Sequence, residues 1–282
     1  SYAYYSSGSG TTNLKFIYTI GEIENSDDLD YTSVDDFTPN GAIIRDLAGN
    51  EIDFELPSVG TLSDDYDIVI DNLHPDLIDI QITTPDGEYN EDKLINFMLT
   101  YNDIVQVDIS EGVPSIKLNT NPVAYALYSN GSGSEKLNFT YTVGSTDESA
   151  DLDYTSIHDL VLNGGQIVDI AGNTASNTLP LAGTISTEKQ VVIDNTHPHI
   201  ISAEILSDQQ VRVTISENIS ISHTSPSGFT LTDAFNESFT AVSQIDETEG
   251  DAQIMLNFYD LSSTVGDLQL TYLNIDNAIN DM

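Results

Sequence analysis

Residues 3–75 align without a gap onto residues 126–198, an offset of 123 positions at which about half of the residues are identical. Two stretches so alike must fold alike, so every turn, buried face and charged edge read in one copy is expected in the other. The shared blocks are Tyr-Ser-x-Gly-Ser-Gly (from Tyr5 and Tyr128), Asp-Leu-Asp-Tyr-Thr-Ser (from Asp28 and Asp151), Ala-Gly-Asn (from Ala48 and Ala171) and Val-Ile-Asp-Asn-x-His-Pro (from Val69 and Val192).

Within the second copy Leu137, Phe139, Tyr141 and Val143 alternate with Asn138, Thr140 and Thr142, the period-two pattern of a half-buried antiparallel strand. Leu14, Phe16, Tyr18 and Ile20 repeat it. Asn40-Gly41 and Asn163-Gly164 suit turn positions of positive φ, and each Ala-Gly-Asn supplies a further tight turn. No segment sustains a helical period. An all-β chain of antiparallel sandwiches is therefore expected, and 282 residues exceed the roughly 100 of one such module.

The copies also set module boundaries. The stretch from residue 76 spends about fifty residues before it reaches the match to Ala3. Residues 76–198 are thus expected to be a complete module and residues 1–75 a partial one lacking its first strands. Residues 199–282 read as a third module of another subtype, truncated at its C-terminus, with an early strand from Gln210 to Glu217 and a late one from Leu268 to Leu273. The junction from Ile70 to Pro75 passes almost directly into the alternating run Leu77-Ile78-Asp79-Ile80, with no Gly/Ser-rich linker. Limited bending between modules follows, as in a rod or a tiled plate.

Forty-six Asp and Glu against seven Lys and Arg give a formal net charge of −39, with a similar acidic excess in each third of the chain. Such a surface repels nucleic acid and anionic lipid and attracts small cations. The chain has no Cys, which excludes disulfides, thiolate metal sites and thiol nucleophiles. No stretch approaches the ~18 apolar residues of a membrane span, so no direct membrane insertion is expected of this sequence. Its amino-terminal residues also lack the features of a secretion signal.

Together with Asn-Gly-Gly-x-Ile-x-Asp-x-Ala-Gly-Asn from Asn163 and with Pro85-Asp86-Gly87-x-Tyr89, these blocks resemble the tandem immunoglobulin-like repeats of very large bacterial and archaeal surface proteins. The resemblance covers the middle module throughout. It departs on the strand from Leu94, where the family's Phe-Ser-Glu is matched to Thr100-Tyr101-Asn102. It implies tandem immunoglobulin-like β-sandwiches of antiparallel Greek-key topology, extracellular display in surface layers or adhesins, and frequently calcium within or between modules.

Calcium takes six to eight oxygen ligands, and extracellular modules bind it at roughly 10⁻⁴–10⁻³ M. Asp28 with Asp30, and Asp151 with Asp153, sit two apart, so on a strand both carboxylates of a pair would share one face while Leu and Tyr point inward. Such a ledge suits calcium, or equally a solvated acidic edge that discourages strand pairing. Asp71 and Asp194 stand at module exits, where calcium shared with an incoming loop such as that of Asp86 would stiffen a junction. Asp46 and Asp169 precede the Ala-Gly-Asn turns and suit either a metal ligand or an Asx-turn. His197 and His199, flanking Pro198, fall short of the four ligands of a structural zinc site. Asn130, Asn138, Asn218 and Asn236 each open an Asn-x-Ser/Thr sequon and are candidate glycosylation sites.

No nucleophile elbow, zinc-protease helix or phosphate loop is present, and with so many acids some pair always fits a glycosidase spacing. The expectation is a non-enzymatic component of the cell surface or cell envelope, most simply surface-layer (S-layer) modules stabilised by calcium. Its partners would be neighbouring modules, copies of itself in a lattice or fibre, and small cations. The alternative is the extender stalk of a large calcium-dependent adhesin.

Overall fold

The computed structural model describes residues 1–221, 229–241, 243–245, 252–262, 268–272 and 279–281. Strands and turns dominate. The helices among the described residues are two single turns, and none is long and apolar enough to cross a membrane. Contacts divide the chain into two compact units.

The first unit comprises Ser1–Asp86, Asp92–Val143 and Asp151–Val191. The first copy contributes β1 (Tyr4–Ser7), β2 (Lys15–Ile17) and the one-turn helix α1 (Thr61–Asp65). In chain order then follow β3 (Leu77–Ile82), β4 (Gly87–Tyr89), the long β5 (Leu94–Asp108), β6 (Ser115–Lys117), β7 (Tyr125–Asn130), β8 (Ser134–Thr142), β9 (Leu160–Val161), β10 (Gln166–Val168), α2 (Thr184–Glu188) and β11 (Val191–Ile193), with β4 and the last two residues of β11 belonging to the second unit. β5 organises the second copy. Its first half pairs with β8 and β3, and its last residues pair with β10, while β8 continues through β7 and β6 to β9, all antiparallel.

Alternation decides which side faces in. Leu137, Phe139, Tyr141 and Val143 of the β8 run are all buried, and so are Ile95, Phe97 and Leu99 opposite them on β5. Burial of one such side chain contributes roughly 1.5–3 kcal/mol. Asn40, Gly41, Asn163 and Gly164 all take positive φ. α1 and α2 follow Gly60 and Gly183, both in left-handed conformation, and at five residues each they are too short to leave a helical period in the sequence.

The second unit comprises Gly87–Glu91, Gly144–Ala150 and Val192–Met282. β12 (Ile200–Ser207), β13 (Gln210–Ile215), β18 (Gln253–Asn257) and β17 (Ser243–Ile245) form a four-stranded sheet in that order. β14 (Ile219–Ile221) pairs with β20 (Ile279–Asp281), and β16 (Ser238–Thr240), β15 (Phe229–Thr232) and β19 (Gln269–Tyr272) form a three-stranded sheet. Val211, Val213 and Ile215 enter a core with Phe229, Leu231, Ile254 and Leu256. The expected early strand is β13. The late one is β19, with Leu273 outside the described residues.

The two copies repeat many of the same bonds in their turns. Tyr5 Oη accepts the Ser9 N–H at 3.0 Å, and Tyr128 Oη accepts that of Ser132 at 3.0 Å. Tyr31 Oη donates to the carbonyls of Pro57 and Ser58, as Tyr154 Oη does to those of Pro180 and Leu181. Gly8 and Gly131, both of positive φ, stand where a Cβ would lie 2.1 and 2.2 Å from a backbone oxygen, which is why the block keeps glycine there.

Candidate functional site

The segment leaving the first copy is fastened to the second copy's turn after β10. The Asn173 amide donates to the Asp71 carbonyl at 3.1 Å, His74 Nδ1 donates to the Thr174 carbonyl at 3.0 Å, and the Ser176 N–H donates to the Pro75 carbonyl at 2.8 Å. Asp76 and Asn102 close the other side: the Asn102 N–H donates to the Asp76 carbonyl, and Asn102 Oδ1 accepts the Asp76 N–H at 2.7 Å. The Tyr101 hydroxyl beneath donates to the Ser176 carbonyl at 3.1 Å, and burial pushes its pKa up.

This fastening brings three carboxylates together. One oxygen each of Asp71, Asp103 and Asp169 lie within 4.8 Å of one another, with Asp169 buried, Asp71 half-buried and Asp103 exposed. Local bonds orient each group. Asp71 accepts the Leu73 N–H at 2.9 Å, Asp103 the Ile104 N–H at 2.6 Å, and Asp169 the N–H and side-chain amide of Asn173, both at 2.8 Å. A carboxylate has about four lone-pair positions, so each keeps acceptor capacity. The ion pairs among the described residues involve Glu51, Asp86 and Glu204, not these three. An all-oxygen, triply anionic donor set has the chemistry of a hard-cation site.

The other candidate aspartates lie elsewhere. Asp46 closes an Asx-turn, accepting from the Ala48 and Asn50 N–H groups and the Asn50 amide, and those bonds, the Asn50 side chain foremost, hold its carboxyl below the usual range. Asp169 makes the same turn and also joins the cluster, so the two readings of that position coexist. Asp194 accepts the Thr196 N–H, and Asp86 lies 3.6 Å from Lys189 Nζ.

The ledge expected of Asp28, Asp30, Asp151 and Asp153 is not formed. Their segments are not strands, and Leu152, Asp153 and Tyr154 are all buried. The Asp153 carboxylate turns inward to accept the Tyr154 N–H at 2.7 Å and the Ser186 N–H and hydroxyl at 3.1 and 2.8 Å. Asp30 does the equivalent with Tyr31, Gly60 and Ser63. These carboxylates clamp the loop to the start of the one-turn helix. Asp151 Oδ1 is shielded from solvent without a hydrogen-bond partner, whereas Asp28 is exposed.

Among the sequons, Asn130, Asn218 and Asn236 are exposed, Asn236 in a turn with φ of 63°. Asn138 is half-buried and its amide donates to Asn130 Oδ1 at 2.8 Å. His197 and His199 belong to no carboxylate or imidazole cluster among the described residues.

Asp103 is the member the sequence reading missed. The signal lies in matching Leu99-Thr100-Tyr101-Asn102-Asp103 to Val213-Thr214-Ile215-Ser216-Glu217. The backbone supports that frame, because Ser216 exchanges with His199 the same two bonds that Asn102 exchanges with Asp76. In that frame Asp103 stands where the later sheet has Glu217. No family model, curated protein or solved structure matches the chain.

Proposed function

We propose that this chain is a non-enzymatic, load-carrying stretch of an extracellular cell-surface protein, built of immunoglobulin-like modules of the surface-layer kind, whose module junction is tightened by calcium. The observation that carries the reading is the convergence of Asp71, Asp103 and Asp169 where the first copy passes into the second. Asp71 comes from the exit of the first copy, Asp103 from β5 and Asp169 from the turn after β10. A cation held by all three would link three segments already joined by hydrogen bonds.

The cluster supplies three of the six to eight oxygens calcium takes, leaving the rest to further carboxylate oxygens, carbonyls and water. Carboxylates this close repel one another when nothing lies between them. Calcium at ten to a hundred times its dissociation constant would add about 1.4–2.7 kcal/mol to the folded state. The acidic surface adds to this by concentrating cations near it.

The test is thermal unfolding and amide exchange in calcium, magnesium and sodium at matched ionic strength, on the chain and on Asp103→Asn. Calcium is expected to raise the melting temperature beyond the ionic-strength effect and to slow exchange at Leu73, Ile104 and Asn173, and the variant is expected to lose both responses. Equal responses in the three salts would overturn the reading.

A further inference from the structure

The two copies share their turns and clamps but not their burial. Phe16 is 40% exposed where Phe139 is 0%, Ile20 54% where Val143 is 1%, and Ile68 44% where Val191 is 0%. Leu62 on α1 is exposed, while its equivalent Ile185 on α2 is buried. On the open side Tyr5, Phe16, Phe37 and Phe54 form a row of aromatic rings with centroids 5.5–5.9 Å apart.

Sheet edges tell the same story. β8 has two partners, β7 and β5, whereas its counterpart β2 pairs with β1 alone. β10 pairs with β5, while the matching residues 43–45 make a single bridge, Arg45 to Glu51. β11 pairs with β4, while the matching residues 68–70 make a single bridge, Ser26 to Ile70. β9 pairs with β6, while the matching Phe37 and Thr38 lie in no strand. Every partner absent from the first copy belongs, in the second, to one continuous segment, residues 76–125.

We propose that the open face and free edges of the first copy are a docking groove for one occupant, a four-strand segment of the residue 76–125 type. The register transfers directly. Ile95, Phe97 and Leu99 stand opposite Tyr141, Phe139 and Leu137, so the occupant sets three alternate apolar side chains opposite Tyr18, Phe16 and Leu14. Main-chain bonds along β2 hold it, and the alternate side chains fix its register, since a slip of one residue would turn all three to solvent. Opposite Phe37, which replaces Leu160, the occupant carries a side chain smaller than the Ile116 that stands opposite Leu160.

The experiment places residues 76–125 directly ahead of Ala3 in the chain and compares it with the unextended chain. A control carries Ile95→Asp, Phe97→Asp and Leu99→Asp in the added segment only. Amide exchange is read at Phe16, Tyr18 and Ile44, with Phe139 as an internal reference for the intact second copy, and mass is read by light scattering. The cognate extension is expected to slow exchange at the first three positions by at least about a hundredfold, and the control to leave them fast. Should the extended chain not fold, a peptide of residues 92–109 added to the unextended chain reads the same amides, with slowing at Phe16 and Tyr18 expected. The proposal is overturned by no slowing with either cognate form, by equal slowing with the control, or by an unextended chain that is already dimeric and protected there, which would make a second copy the occupant.

Discussion

Replacing Asp153 by Ala and, separately, Asp30 by Ala removes three hydrogen bonds from each of two equivalent clamps that differ in burial. Asp153 is buried, and its bonds to the Tyr154 N–H, Ser186 N–H and Ser186 hydroxyl run from 2.7 to 3.1 Å. A hydrogen bond to a charged group contributes about 1.5–3 kcal/mol, and an amide left buried without a partner costs about 1–3 kcal/mol. These terms overlap, so the expected loss for Asp153→Ala is about 3–4 kcal/mol. At 1.4 kcal/mol per decade, the Tyr154 amide should exchange about 10²–10³ times faster. Asp30→Ala breaks bonds of 2.7–3.1 Å to Tyr31, Gly60 and Ser63, but Asp30 and Tyr31 are half-buried where Asp153 and Tyr154 are buried, so the Tyr31 amide should change by far less. Native-state hydrogen exchange on both variants, with urea unfolding alongside, decides the matter. Equal acceleration in the two copies would refute the reasoning that burial sets the worth of the clamp.

Asp103→Asn should raise the melting temperature by a few degrees in chelator, because it relieves repulsion within the cluster, and lower it relative to the parent in 10 mM calcium; a variant less stable in both would refute the shared-cation account. The Asp36 carboxyl is held low by the Thr32 hydroxyl and then by the Thr32 and Ser33 N–H groups, and that of Asp46 by Asn50. Their folded pKa values lie below the unfolded ones, so their contribution is intact above about pH 4 and lost as pH falls through the depressed values; carboxyl NMR titration should place both midpoints below the ordinary Asp value of about 3.9. Gly133→Ala should cost about 1 kcal/mol for its φ of 85° alone, while Gly131→Ala should cost clearly more, because its Cβ would sit 2.2 Å from the Lys136 carbonyl oxygen. Urea unfolding of the two variants checks the order.

The strands were legible because their signal is local. The run from Leu137 to Val143 alternates over seven positions, and a period of two leaves one choice of buried face. The same rule misled at Asp151 to Tyr154, where Asp-Leu-Asp-Tyr alternates in sequence but Leu152, Asp153 and Tyr154 all turn inward. A non-strand loop packed against a helix start buries consecutive residues, and the N–H groups of that start take the carboxylate. Nothing within the block announces this, since Ser186 lies 33 residues away. Asp71 and Asp169 were picked out one at a time as a junction residue and a turn residue. Their meeting depends on His74, Pro75 and Asn173 fastening one copy to the next, a contact spanning about a hundred residues that no local pattern encodes.

The first copy separates what a sequence of this kind encodes locally from what it obtains at a distance. Its turns, Asx caps and aspartate clamps match those of the second copy at nearly the same distances, although most of its apolar side chains are exposed. The turn and Asx bonds close loops of two to five residues, and their geometry comes from Gly at positive φ and from Asp and Asn placed to cap backbone groups. Burial does not follow from them. It arises when β5 lays Ile95, Phe97 and Leu99 across β8. Equivalent mutations in the two Tyr-Ser-x-Gly-Ser-Gly blocks should therefore each disturb their own turn, whereas a mutation of Phe97 should unfold the second copy and leave the turns of the first untouched.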